Sequence, residues 1–189
     1  SQCSGGTIYS HIVGVFGMAE SAIGERLQDL MANSNPTVAP YCKEGEVRLR
    51  VTARAESEQI AMQMCDRVVD EILQSEVGQF VYGIDADSME RVLVDKLHEA
   101  HLTLSAAESC TGGLIAKRIT DISGSSQVFL GGCVTYACSA KEKLVGVSHE
   151  TLEKYGAVSE QPAREMARGV RLALGADVGI ATPGIAGPG

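Results

Sequence analysis

The spacing of hydrophobic positions changes several times along the chain, and each change predicts an element. "EVRLRVTARA" at 46–55 alternates, with Val47, Leu49 and Val51 on one side and Arg48, Arg50 and Thr52 on the other, which predicts a half-buried strand. Upstream, "SHIVGVFG" at 10–17 alternates more weakly and ends on glycine, as a strand does. Between them Ile23, Leu27, Leu30 and Met31 share one helical face, and Asn33-Ser34-Asn35-Pro36 ends that helix because proline disfavours helical geometry in the residue before it. Ser57 is placed to cap a second helix with the stripe Ala61, Met64, Cys65, Val68, Val69, Ile72 and Leu73, and "QFVYGI" follows as a short strand. The order is β-α-β-α-β in outline, with room for more than one strand between the helices. It predicts a small α+β sandwich with its helices on one face of a short sheet. Asp85-Ala86-Asp87-Ser88 punctuates the chain and sets an expected boundary between residues 1–86 and 87–189.

The second part opens with a helix through Met89, Leu93 and Leu97, then strand "TLSAA", the turn "AESCTGG" at 107–113, and a helix predicted over Thr111–Thr120. A serine-rich loop at 123–126 leads to "FLGGCVTYA", a strand broken by glycines, and to a short helix around Lys141–Leu144. Ser148 and Ser159 are candidate caps for two more helices. The second of these carries Ala163, Met166, Ala167, Val170 and Leu174 at helical spacing, with Pro162 in its first turn, where no backbone N–H is needed. "VGIAT" is a final strand. Alternating strands and helices predict an α/β layer fold. A glycine-rich loop directly after a strand is an unusual place for a domain to stop, so further strands and a helix are expected beyond "PGIAGPG". Position 1 is not Met, as in a fragment or a processed chain.

Composition narrows the function classes. The net charge of −8 argues against unaided binding to nucleic acid or anionic membrane, where lysine and arginine must neutralise phosphates. No apolar run approaches the roughly 20 residues that cross a bilayer. Six cysteines without a CxxC pair, in a chain long enough to build a core without staples, predict reduced thiols and a cytoplasmic protein. Nothing suggests a metal or another cofactor.

Three segments carry candidate chemistry. At Ser109-Cys110-Thr111-Gly112-Gly113 a strand turns into a helix. A helix start offers free N–H groups and positive potential, glycines admit close approach, and hydroxyls add donors, so anion or oxyanion binding suits it. A plain helix cap with tightly packed glycines suits it equally. Cys110 reads either as a nucleophile at a helix start or as a small buried hydrophobe. A serine nucleophile needs a base. His11, His98, His101 and His149 lie far from the motif and read as surface residues, whereas Lys141, about a turn beyond Tyr136 after an apolar strand, can serve in its neutral form. The alternatives are a solvated Lys141 and a core Tyr136 with its hydroxyl at the rim. Thr182-Pro183-Gly184-Ile185 and the glycines beyond follow a strand, where loops shape a crevice at the carboxyl edge of a parallel sheet.

Taken together, "AAESCTGGLIAKRITDISGSS", "VTYACSAKEKLVGV", "YGAVSEQPAREMARGVRLALGAD" and "GIAGPG" resemble the C-terminal domain of the CinA competence/damage-inducible family, which is similar to nicotinamide-nucleotide amidases. "GVFGMAESAIGERL", "NPTVAPY" and "VRLRVTARA" resemble the family's KH-like middle domain. The resemblance implies an α/β amidase-type domain, truncated at its C-terminus, behind a small KH-like α+β domain. It implies hydrolysis of the carboxamide of nicotinamide mononucleotide without a cofactor. Ser109 falls on the family's nucleophile, and Tyr136 and Lys141 fall on its tyrosine and lysine. Thr111, Gly112 and Gly113 would hold either the developing charge or the nucleotide phosphate, with Thr182, Gly184 and Ile185 completing the substrate site. The family usually has Ser or Thr immediately before GIAGP, where this chain has Pro183.

The competing expectation is a degenerate scaffold that binds a nucleotide or pairs subunits without turnover. A homodimer, with the first part joining the subunits, is expected on either reading. Gly14-Val15-Phe16-Gly17 has the GxxG spacing of an RNA-clamping loop, but Val15 and Phe16 suit a buried strand end better.

Overall fold

A computed structural model of the chain describes residues 6–43 and 45–185. It divides into two compact units, Ser1–Val92 and Leu93–Gly189.

The first unit runs β1 (Thr7–Phe16), α1 (Glu20–Arg26), α2 (Gln28–Met31), β2 (Thr37–Lys43), β3 (Glu46–Ala55), α3 (Glu58–Gln74) and β4 (Val81–Ile84). Its strands form one antiparallel sheet in the order β2-β3-β1-β4. The alternation at 46–55 gives β3, with Val47, Leu49, Val51 and Ala53 buried against Ala61, Cys65, Val68, Val69 and Ile72 of α3. Leu73, expected in that stripe, is 40% exposed. Ser57 caps α3 by accepting from the Ile60 N–H at 3.3 Å. The helix predicted over Ile23–Met31 is interrupted at Leu27, whose φ of −110° and ψ of 20° leave the helical region.

β2 is a strand that periodicity did not predict. Pro40 breaks its pattern, and proline is tolerated there because β2 is an edge strand. The GxxG spacing lies in and just past β1 rather than in a loop. Val15 is buried, Phe16 is half-exposed, and a Cβ on Gly14 would sit 2.3 Å from the Tyr82 ring.

The second unit is built from α4 (Met89–Ala100), β5 (Leu104–Glu108), α5 (Leu114–Thr120), β6 (Phe129–Val134), α6 (Cys138–Val145), α7 (His149–Tyr155), α8 (Glu160–Leu174) and β7 (Val178–Thr182), the division from the first unit falling inside α4. The three strands are parallel, in the order β6-β5-β7. β5 is central and buried throughout, as a strand covered on both faces must be. Leu104 and Ala106 pack with Val94, Leu97 and Ile119 on one face, while Ala107 packs with Val145, Met166 and Val170 on the other. Ser148 caps α7 by accepting from the Thr151 N–H at 3.0 Å. Ser159, expected to cap α8, does not, and its buried hydroxyl has no partner among the described residues.

The molecule is thus a layered α/β unit preceded by a small α+β unit. Among the described residues, no helix is long and apolar enough to cross a membrane. At the carboxyl edge of the parallel sheet Glu108 pairs with Val134 on one side and Thr182 on the other, so the ends of all three strands meet there.

Candidate active site

Ser109 follows directly from β5 and is 5% exposed. Its N–H donates to the Thr182 carbonyl at 3.1 Å, which ties the turn to the end of β7. Gly112 and Gly113 have φ of +61° and +100°, so α5 begins at Leu114 rather than at Thr111 as periodicity predicted. The extra turn lifts Ser109 out of the helix and leaves its side chain facing α6.

Lys141, 2% exposed, comes up from the first turn of α6. Its Nζ lies 3.2 Å from Ser109 Oγ, 2.7 Å from the Thr135 carbonyl and 3.0 Å from the Tyr136 carbonyl. The charged ammonium donates one proton to each of these three oxygens. A neutral amine has two N–H groups and a lone pair. Carbonyls only accept, so they claim the two N–H groups and leave the lone pair toward the serine hydroxyl. The geometry therefore supports a serine–lysine dyad in which main-chain carbonyls aim the base.

Tyr136 enters this arrangement through its main chain. Its side chain is 66% exposed rather than set in the core, and its carbonyl accepts from Lys141. Thr111 and Thr182 are brought together, with their hydroxyl oxygens 2.8 Å apart. Gly184 packs flush on Cys110: a Cβ there would lie 2.3 Å from the cysteine sulfur. Ile185 is 77% exposed. The rest of the glycine-rich segment, Ala186–Gly189, lies outside the described residues. Of the histidines, His11 belongs to the other unit, and His98 and His149 bond to Gly124 and Glu142, away from Ser109.

Glu108 is the residue that sequence reasoning missed. It is 2% exposed, and its carboxylate accepts from the N–H groups of Gly113 at 3.1 Å, Ile115 at 3.0 Å and Ala116 at 2.8 Å. Burial opposes its ionisation, but the Ala116 N–H, the Thr111 hydroxyl and the N–H groups of Ile115 and Gly113 outweigh burial and hold its pKa below the ordinary value. The N–H groups of Gly113 and of the start of α5, expected to face a developing charge or a phosphate, are thus engaged by an internal carboxylate. The available signal was an acid directly before a strand-to-helix turn, where a carboxylate can cap the following helix. Among the described residues no group of three His, Cys, Asp or Glu could hold a metal ion.

Comparison with known proteins agrees across the chain. Residues 86–189 match the CinA C-terminal domain, and residues 10–83 match the damage-inducible protein CinA KH domain. A CinA-like protein of Kosmotoga olearia is 45% identical over 96% of this chain and 44% of its own length. One from Desulfovibrio desulfuricans is 48% identical over 98% of this chain and 43% of its own. The chain thus spans less than half the length of the curated relatives it matches. Among solved structures, competence/damage inducible protein CihA from Agrobacterium tumefaciens aligns with a TM-score of 0.52 at 47% identity, over 53% of this chain and 61% of that one. A CinA superfamily protein from Enterobacter cloacae aligns with a TM-score of 0.50 at 43% identity, over 51% of this chain and 57% of that one. The chain belongs to the CinA competence/damage-inducible protein family, with the family's KH domain followed by its C-terminal domain.

Proposed function

We propose that the second unit hydrolyses the carboxamide of nicotinamide mononucleotide, giving nicotinate mononucleotide and ammonia. The observation that carries the chemistry is the buried Lys141 Nζ at 3.2 Å from Ser109 Oγ. The choice of substrate rests on the likeness of this domain to nicotinamide-nucleotide amidases.

Ser109 Oγ attacks the carboxamide carbon while its proton passes to the Lys141 amine. The carbonyl oxygen takes the negative charge. The N–H groups of Cys110 and Thr111, which have no acceptor among the described residues, are the donors the turn leaves for it. Collapse breaks the C–N bond, Lys141 returns the proton to the departing nitrogen, and ammonia leaves a nicotinoyl ester on Ser109. Water, deprotonated by the same lysine, cleaves the ester and restores the serine. The balance is one amide and one water to one carboxylate and one ammonium, the ammonia taking up the proton that the acid product releases. The Thr111–Thr182 hydroxyl pair and Gly184 border the reacting groups on the β7 side.

Ammonia release from nicotinamide mononucleotide tests the reading directly. Release by the wild-type chain and none by Ser109→Ala is the expected result. Nucleotide binding with no ammonia from the wild-type chain would instead favour a scaffold that no longer turns over its ligand.

A further inference from the structure

We infer that Glu108 is the residue that positions both members of the Ser109–Lys141 pair, an inference that rests on the hydrolase reading above. A buried carboxylate is costly unless its oxygens are satisfied. Glu108 satisfies one oxygen with the Gly113 and Ile115 N–H groups and the other with the Ala116 N–H. α5 has only seven residues and cannot hold its own first turn well, so this carboxylate fixes where the turn ends and the helix begins.

Two routes leave Glu108 for the chemistry. One peptide bond leads to Ser109, whose N–H is pinned by Thr182. The Glu108 carbonyl accepts from the Thr135 N–H at 2.6 Å, and the Thr135 carbonyl in turn accepts from Lys141 Nζ at 2.7 Å. Nucleophile and base therefore hang from the same residue, one through the chain and the other through two hydrogen bonds. Its carboxylate also closes the start of α5 to a substrate anion. Glu108 should accordingly act on the chemical step and leave nucleotide binding alone.

The test uses the full chain with E108Q and E108D. Glutamine keeps the shape but replaces an accepting oxygen with an NH2 that cannot accept. Aspartate keeps the charge but is one methylene too short. Three quantities are measured: kcat and KM on nicotinamide mononucleotide, the rate at which a fluorophosphonate probe labels Ser109, and the thermal transition. The probe carries no nucleotide and reads serine reactivity alone.

The expected result is a fall in kcat of about tenfold or more with KM within about twofold, and an equal slowing of labelling in protein that still unfolds cooperatively. Unchanged kcat and labelling would overturn the inference. So would a rise in KM alone, which would place Glu108 in binding. Loss of the folded second unit in both variants would assign Glu108 to the fold only and also overturn it. If wild-type Ser109 is labelled but releases no ammonia, the amidase reading fails, and slow labelling of E108Q still supports the positioning role. If wild-type Ser109 is not labelled and the chain releases no ammonia, both fail.

Discussion

Lys141 is buried, with its Nζ among three oxygens. Arginine brings a planar guanidinium that stays protonated, so Lys141→Arg loses the proposed base. Turnover should fall at least about a hundredfold in this variant and in Lys141→Met, since a positioned base contributes on the order of that factor. Ammonia release by variants with wild-type circular dichroism checks it, and near-normal turnover would remove Lys141 from the mechanism. Ser109→Ala should abolish activity, whereas Cys110→Ala should keep most of it. Glu108 also gives a pH signature. Its folded-state pKa lies below the unfolded value, so its contribution to stability is present above the ordinary carboxylate range and is lost as pH falls through the lowered value. The difference in Tm between wild type and E108Q should therefore be full at neutral pH and narrow below about pH 4.

Helix caps separate two serines that look alike in the sequence. The Ser148 hydroxyl accepts from the Thr151 N–H, whereas the Ser159 hydroxyl has no partner among the described residues. Ser148→Ala should cost about 1 kcal/mol, or about 4–8 °C in Tm for a unit of this size, while Ser159→Ala should cost little. Equal losses in thermal melts would contradict the assignment. The same scale shows what could be read in advance. β3, α3 and β7 were legible because alternation or a helical stripe ran uninterrupted through them. β2 was not, because Pro40 masks a strand unless its place at the sheet edge is known. The start of α5 was misplaced because hydrophobic period does not record the sign of φ at Gly112 and Gly113. Ser109 and Lys141 were recognisable as residue types, yet their meeting across 32 positions depends on β5 and β6 being parallel neighbours. The role of Glu108 is marked only by an acid standing before a strand-to-helix turn, since its partners are backbone N–H groups.

The whole molecule has separate cores in its two units, and each carries its own titrating group. In the first unit His11 bonds Asp66 at 2.9 Å through Nε2 and Asp85 through Nδ1, with the Tyr9 ring edge-on at 5.0 Å. Burial opposes the imidazolium charge, but the bonds to Asp85 and Asp66 outweigh it and raise the pKa. That contribution is fully present below the ordinary imidazole value of about 6.5 and is lost as pH rises through the raised one. His11→Gln should lower the first unit's Tm more at pH 6 than at pH 9, and leave ammonia release within about twofold of wild type. A Tm deficit independent of pH would rule out a charged His11.

The described thiols make the chain an uneven target for electrophiles: Cys42 and Cys138 are exposed, Cys65 is buried, and Cys110 and Cys133 lie between. Cys110 has Gly184 pressed flat against its sulfur, with no room for even a methyl group. An adduct there would wedge the loop after β7 away from the turn that carries Ser109. On the proposed mechanism, alkylation at Cys110 would then stop turnover without touching Ser109. Chemical inactivation alone cannot name the attacking atom, and a covalent inhibitor of this site has a cysteine to hold.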